Sequence, residues 1–139
     1  MANVSVVAAS VKLLNEVQPQ LGTAGEALTQ GQLAYQLSTD GRWYKADSIG
    51  TNARFSVARL VLTPASTGEP VLLAVPGSEV GLGATLTVGE PLFLSATAAG
   101  GNLCPLGDLV STNYVIFCGV CKTAGNFAFN PTVIAVKKA

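Results

Sequence analysis

The sequence predicts an all-β fold: a single small β-barrel or β-sandwich domain of about ten short strands, built as two similar halves. Three observations predict it. Fifteen Gly and seven Pro divide the 139 residues at short intervals, and the pieces between them are rich in Val, Leu, Thr, Phe and Tyr, side chains that suit a pleated, half-buried surface. Helical periodicity is largely missing. One pattern also occurs twice, as Leu28-Thr29-Gln30-Gly31-Gln32 followed by Tyr35 and as Leu86-Thr87-Val88-Gly89-Glu90 followed by Phe93. Each copy then runs through Ser or Ala and a Gly-containing turn to an Asp, Asp47 or Asp108. Two copies cannot make a solenoid, but they suit two halves of a closed or nearly closed β structure; coincidence between short matches is the alternative.

The elements follow in order. Residues 4–8 and 11–17 are apolar and extended in pattern, and with their flanks, residues 1–24, they form either an N-terminal arm or the first strands of a domain spanning 25–139. Residues 28–37 and 43–46 flank Asp40-Gly41, a hairpin signal because a type I′ turn needs positive φ at both central positions. Residues 53–62 read as a strand through Val57 and Val61, against a helical reading in which Phe55, Ala58, Arg59 and Leu62 share a face. Residues 71–75 end at the Pro76-Gly77 corner, and the Gly-rich stretch 77–83 reads as a mobile or tightly turned loop. Residues 84–88 and 92–96 carry the second copy of the pattern, Ala99-Gly100-Gly101 turns the chain, and residues 114–121 and 132–136 complete the set.

Composition excludes much. Eight Lys or Arg balance eight Asp or Glu, so the formal net charge is zero. The long-range attraction that gathers nucleic acid or anionic lipid is then missing, and neither is an expected partner. The chain has no His, which removes Ser-His-Asp and Cys-His catalysis and imidazole metal ligands. Residues 4–14 lack the basic start and cleavage site of a signal peptide, no apolar run is long enough for a membrane helix, and synthesis in a cytoplasm is the expectation. A chain of this mass exposes roughly 6,700 Å² when folded. Charged residues make up only 12% of the sequence, thin cover for that area, which predicts that part of the surface is covered by other protein copies.

Candidate chemistry is sparse. Cys118-Gly119-Val120-Cys121 has a spacing shared by zinc and thiol redox sites, but zinc needs four ligands and only Cys104 remains as a further thiol. The motif follows Tyr114-Val115-Ile116-Phe117, a strand pattern, so its cysteines are expected on opposite faces, buried and inert. The carboxylates Glu16, Glu26, Asp40, Asp47, Glu69, Glu79, Glu90 and Asp108 are scattered and form no acid–base pair. The chain is therefore expected to be no enzyme, with no catalytic, cofactor or metal site. Trp43 and Tyr44 are adjacent and face opposite ways on a strand. One suits the core, and the other suits a protein interface or, less readily, a sugar ring.

The order of several short signatures resembles a known family. Gly25-Glu26-Ala27-Leu28 with Gly31, then Thr67-Gly68-Glu69-Pro70-Val71, Val88-Gly89-Glu90-Pro91-Leu92-Phe93-Leu94-Ser95, Ala99-Gly100-Gly101 and Val115-Ile116-Phe117-Cys118-Gly119-Val120-Cys121 together resemble small capsid decoration (cement) and head-fibre-like proteins of tailed bacteriophages. The resemblance covers roughly residues 25–136. It implies an all-β structural virion protein, made in the host cytoplasm, that binds the major capsid protein on the outer shell surface and bridges capsomers, usually as a homotrimer. Arg54 and Arg59 depart from the family pattern and suggest a partner-facing role. The apolar N-terminal segment, with Val4, Val6, Val11, Leu13 and Leu14, is expected either to lie across a neighbour by strand addition or to be an ordinary first strand. With Trp43, Tyr44, Arg54 and Arg59 these residues form the expected interface. A virion-displayed host- or carbohydrate-binding module is the alternative function, and a structural domain unrelated to viruses is a further one.

Overall fold

The computed structural model describes residues 3–49, 59–83, 86–97, 100–109 and 113–137, the last five by backbone alone. Among them are eleven strands: β1 (Lys12–Leu13), β2 (Gln20–Thr23), β3 (Leu33–Gln36), β4 (Trp43–Lys45), β5 (Arg59–Val61), β6 (Pro70–Ala74), β7 (Glu79–Gly81), β8 (Pro91–Leu94), β9 (Leu103–Pro105), β10 (Tyr114–Thr123) and β11 (Asn126–Lys137). Single 3-10 turns cover Ala8–Ser10 and Leu106–Asp108. A five-stranded sheet has the order β2-β6-β5-β3-β4 and a six-stranded sheet the order β1-β7-β11-β10-β8-β9, with every pairing antiparallel. The fold is all-β and sandwich-like.

The two orders are the same order. Adding five to each strand number of the first sheet turns β2-β6-β5-β3-β4 into β7-β11-β10-β8-β9, which leaves β1 as the one strand without a counterpart. The twice-occurring pattern is the local cause. In each copy a β-turn is closed by a backbone bond, from Gln32 N to Thr29 O at 3.3 Å and from Glu90 N to Thr87 O at 3.1 Å. Its second central residue is a glycine with positive φ, 87° at Gly31 and 82° at Gly89, a conformation that other residues adopt only with strain. The turn then docks on the fourth strand of its half. Gly31 N donates to Val61 O (2.8 Å) and Val61 N to Gln32 O (2.8 Å), while Gly89 N donates to Cys121 O (2.7 Å) and Cys121 N to Glu90 O (3.1 Å). The leucine that opens each pattern binds the following hairpin turn, Leu28 N to Ala65 O and Leu86 N to Ala124 O.

Packing shows how the halves differ. One face of the five-stranded sheet, with Leu33, Tyr35, Leu60 and Ala74, shares the main core with Val80, Leu92, Leu94, Leu103, Ile116, Phe127 and Phe129 of the six-stranded sheet. Strand alternation sends Ala34, Trp43, Val61, Val71 and Leu73 to the opposite face, where Ala24, Leu28 and Ala65 cover them in a second cluster. A third cluster, Phe93, Cys104 and Leu109 with Phe117 against it, lies behind the six-stranded sheet. The first half curls until Ala24 makes a single parallel bridge to Trp43, which brings the two ends of its sheet together. Trp43 fills the space over Gly22, where a β-carbon would lie 2.6 Å from the indole nitrogen. By register the second half has Leu82 in place of Gly22 and Leu103 in place of Trp43, both fully buried. Two halves with one topology thus divide core volume differently. Backbone bonds also stitch the halves, from Leu33 N to Gly101 O (2.8 Å), Gly101 N to Ala46 O (2.9 Å) and Tyr114 N to Ser48 O (2.8 Å).

Several expectations need correction. Residues 4–8 are not a strand: they run irregularly into the 3-10 turn because their backbone bonds go singly to separate elements. β2, β7 and β9 replace stretches read as loop or left unassigned, and the Gly-rich loop contains β7, since Val80 is a core residue flanked by pairing partners on both sides. The Asp40-Gly41 hairpin exists, but its loop spans residues 37–42, closed by Leu37 N to Arg42 O and by Asp40 Oδ1 accepting from Arg42 N. It is therefore a longer loop than the two-residue turn expected. β11 begins at Asn126, six residues before the expected start, as the return strand of a long hairpin. Residues 52–58, with Ala84 and Thr85, lie outside the described residues.

The volume exchange predicts a coupled pair. Gly22→Leu alone crowds Trp43 and Trp43→Leu alone leaves a cavity, each costing about 2–4 kcal/mol. In urea unfolding the double variant, which copies the arrangement of the second half, should be less destabilised than the sum by at least about 1 kcal/mol.

Candidate interaction surface

The N-terminal segment lies on its own chain. Val4 N donates to Leu103 O (2.8 Å), Val7 N to Leu82 O (3.0 Å) and Leu14 N to Glu79 O (2.7 Å), and Lys12 and Leu13 pair with Gly81 and Val80. Asn3 is held by Ser95 Oγ, which donates to its Oδ1 at 2.7 Å, and by Thr97 Oγ1, which accepts from its amide. Val4, Val6 and Leu13 are half-buried against the main core, and Val11 is buried within it. Leu14 is exposed at 41% and Val7 at 50%. Within the single chain the segment packs on its own domain, with Lys12–Leu13 as its strand.

This segment does for the second half what the chain does for itself in the first. There, Gly25 N donates to Trp43 O at 2.8 Å; in the second half the residue equivalent to Trp43 is Leu103, and its carbonyl accepts from Val4 N at the same 2.8 Å. Residues 3–14 thus cover the open end of the six-stranded sheet.

The remaining expected interface residues divide. Trp43 is 2% exposed and belongs to the second cluster, so it offers no face to a partner or a sugar ring. Tyr44 is half-buried, its ring 6.1 Å from that of Tyr35, and its hydroxyl donates to Asp40 Oδ2 at 2.6 Å. That bond holds the Asp40 carboxyl below its ordinary range and raises the Tyr44 phenol. Arg59 is half-buried and its Nε donates to Gln20 Oε1 at 3.1 Å, joining β5 to β2, while burial lowers its guanidinium pKa. Arg54 lies outside the described residues.

The cysteines are core residues. Cys104, Cys118 and Cys121 are buried and no disulfide joins them. Cys118 and Cys121 do not face opposite ways, as the strand reading expected: both join the main core, because β10 is bulged between Phe117 and Gly119. Gly119, at φ 153°, allows that bulge, since a side chain there would run into the backbone of Ala128. Burial pushes both thiols up, at Cys118 with a contribution from nearby Cys104 and at Cys121 with one from Glu90. Among the described residues no three Cys, Asp or Glu side chains gather as a metal site requires.

What the surface offers is apolar area. Leu21 is 68% exposed and Val88 66%, with Ile49, Leu72, Leu106 and Val120 also exposed. Leu21 and Leu72 are direct cross-strand partners on β2 and β6. The only sequence signal for this pair is the alternation in Gln20-Leu21-Gly22-Thr23 beside that in Pro70–Ala74, too short to mark β2 as a strand.

Glu79 anchors the covered edge electrostatically. It accepts from Asn126 Nδ2 and Lys122 Nζ, both at 2.9 Å, and these bonds lower its pKa, Asn126 contributing most. A carboxyl lowered in the folded state adds stability above its unfolded value of 4.5, and that stability is lost as pH falls through the folded value. Wild type should therefore lose unfolding midpoint as pH drops below 4.5, and Glu79→Gln should flatten that acid limb. The raised thiols predict that a disulfide-exchange reagent at pH 8 leaves Cys118 and Cys121 unmodified until denaturant is added.

Comparison with protein-family models and with curated proteins finds no match to this chain.

Proposed function

We propose that the chain is a structural virion protein that binds the outer surface of a tailed-bacteriophage capsid and stabilises it by bridging capsomers, acting as a homo-oligomer, with the homotrimer of the resembled family as the working form. The observation that carries this reading is the character of the surface. An exposed area of 6347 Å² is served by a chain with only 12% charged residues, and Leu21, Val88, Leu106, Ile49 and Leu72 stand out from it. Scattered apolar side chains are ordinary on a monomer; combined with so little charge they suit a surface covered by protein.

The fold supports the same role. A cement protein must resist shear between the subunits it joins, and two packed sheets with backbone bonds between the halves give a stiff body. Its contacts with a shell are numerous and individually weak, and symmetry multiplies them. Neutrality suits binding above packaged DNA, where a basic protein would be drawn to nucleic acid instead.

Co-sedimentation with expanded, undecorated phage heads tests the reading. Saturable binding, with a stoichiometry set by the shell lattice and raised resistance of the heads to heat, is the expected outcome. A purified chain that stays in the supernatant at high concentration and leaves head stability unchanged contradicts it.

A further inference from the structure

Residues 3–15 bind the half of the molecule to which they are not directly joined. Every hydrogen bond they make to another segment of the described chain ends between Gly77 and Leu103, from Asn15 Nδ2 donating to Gly77 O at 3.1 Å to Val4 N donating to Leu103 O at 2.8 Å. The chain then enters the first half at β2. Between the two lie residues 16–19, which make no hydrogen bond with the described residues. The backbone bends at Asn15, and Pro19 fixes its own φ and restrains Gln18 to extended geometry.

The seat for this segment is built closely around it. A β-carbon on Gly83 would lie 2.7 Å from Ser10 Cβ and 2.8 Å from Val7 Cβ, and one on Gly31 would run into Val6. Glycine at both places lets the segment sink between the halves. Seated, it buries or half-buries Val4, Val6, Val11 and Leu13; a free segment would expose all four to water. It therefore needs a seat of this shape, and every copy of the chain carries an identical one.

We propose that residues 3–15 are an exchangeable strap, which a second copy of this chain receives in its own seat when copies assemble, with residues 16–19 as the hinge. The exchanged strap makes the bonds that the home strap makes, so the equilibrium turns on the hinge and on concentration. A short connection holds the home strap at an effective concentration of about 1 mM, which crowded copies match. The second half of each copy is then completed by its neighbour, and the bodies are joined without any new surface. The exchange is independent of any shell and goes beyond the capsid reading.

Lys12 and Gly81 stand opposite each other in register, and a β-carbon on Gly81 would lie 3.9 Å from Lys12 Cγ in ordinary contact, a spacing that a disulfide bridges. One chain carrying Lys12→Cys and a heavier, isotope-labelled chain carrying Gly81→Cys are unfolded together, refolded at about 1 mM and oxidised; the native thiols are buried and take no part. Neither chain closes this bridge alone. Exchange predicts a disulfide dimer of mixed mass, about tenfold or more above the like-with-like dimers, because only a seated strap sets the two thiols side by side. Absence of that excess overturns the proposal, and a bridge within the single chain that carries both substitutions then shows the strap at home. Wild type that sediments as a monomer at the same concentration overturns it as well.

Discussion

Every curled sheet in this chain must satisfy the backbone at its open ends, and much of the rest of the structure follows from how each half does so. In the first half the chain turns back on itself after β2 and lays Ala24 and Gly25 against Trp43. In the second half the same position is taken by Val4 on Leu103, supplied from a segment more than a whole half away in sequence. An unpaired buried backbone group costs about as much as a lost hydrogen bond. Residues 3–14 are therefore structural members of the second half although they precede the first.

That arrangement also explains the unequal cores. A seam closed by its own chain leaves Gly22 beneath Trp43, and one large aromatic side chain fills the small interior. A seam closed by a separate segment admits Leu82, Leu103, Phe127 and Phe129, together with one face of the other half. The outcome is a tandem body in which one sheet is buried on both faces, which is why Leu33, Ala34 and Tyr35 are all buried in succession.

The repeated Leu-Thr-x-Gly pattern made the two-half plan legible, because a glycine turn with positive φ is a local requirement that a sequence states openly. Short strands at seams were not legible. Gln20–Thr23 and Glu79–Gly81 gain their extended form from partners distant in sequence, and their own residues include Gly22, Glu79 and Gly81, weak strand formers. The Cys-x-x-Cys orientation was misread for a related reason: a bulge at Gly119 shifts the alternation by one residue, and only the neighbouring strand reveals it. Trp43 gave no sign of which way it faced, since alternation separates it from Tyr44 without saying which is inside. The exposure of Leu21 and Val88 accords with composition alone, as a sparsely charged chain leaves apolar side chains uncovered wherever they fall.

The account depends most on the N-terminal segment belonging to the second half. Native-state amide exchange on the intact chain, followed through low denaturant, tests this directly. The account predicts that the amides of Val4, Val7 and Leu14 open together with those of the six-stranded sheet, while Gly25 opens with the five-stranded one. Free exchange of Val4, Val7 and Leu14 while the six-stranded sheet stays protected would contradict it.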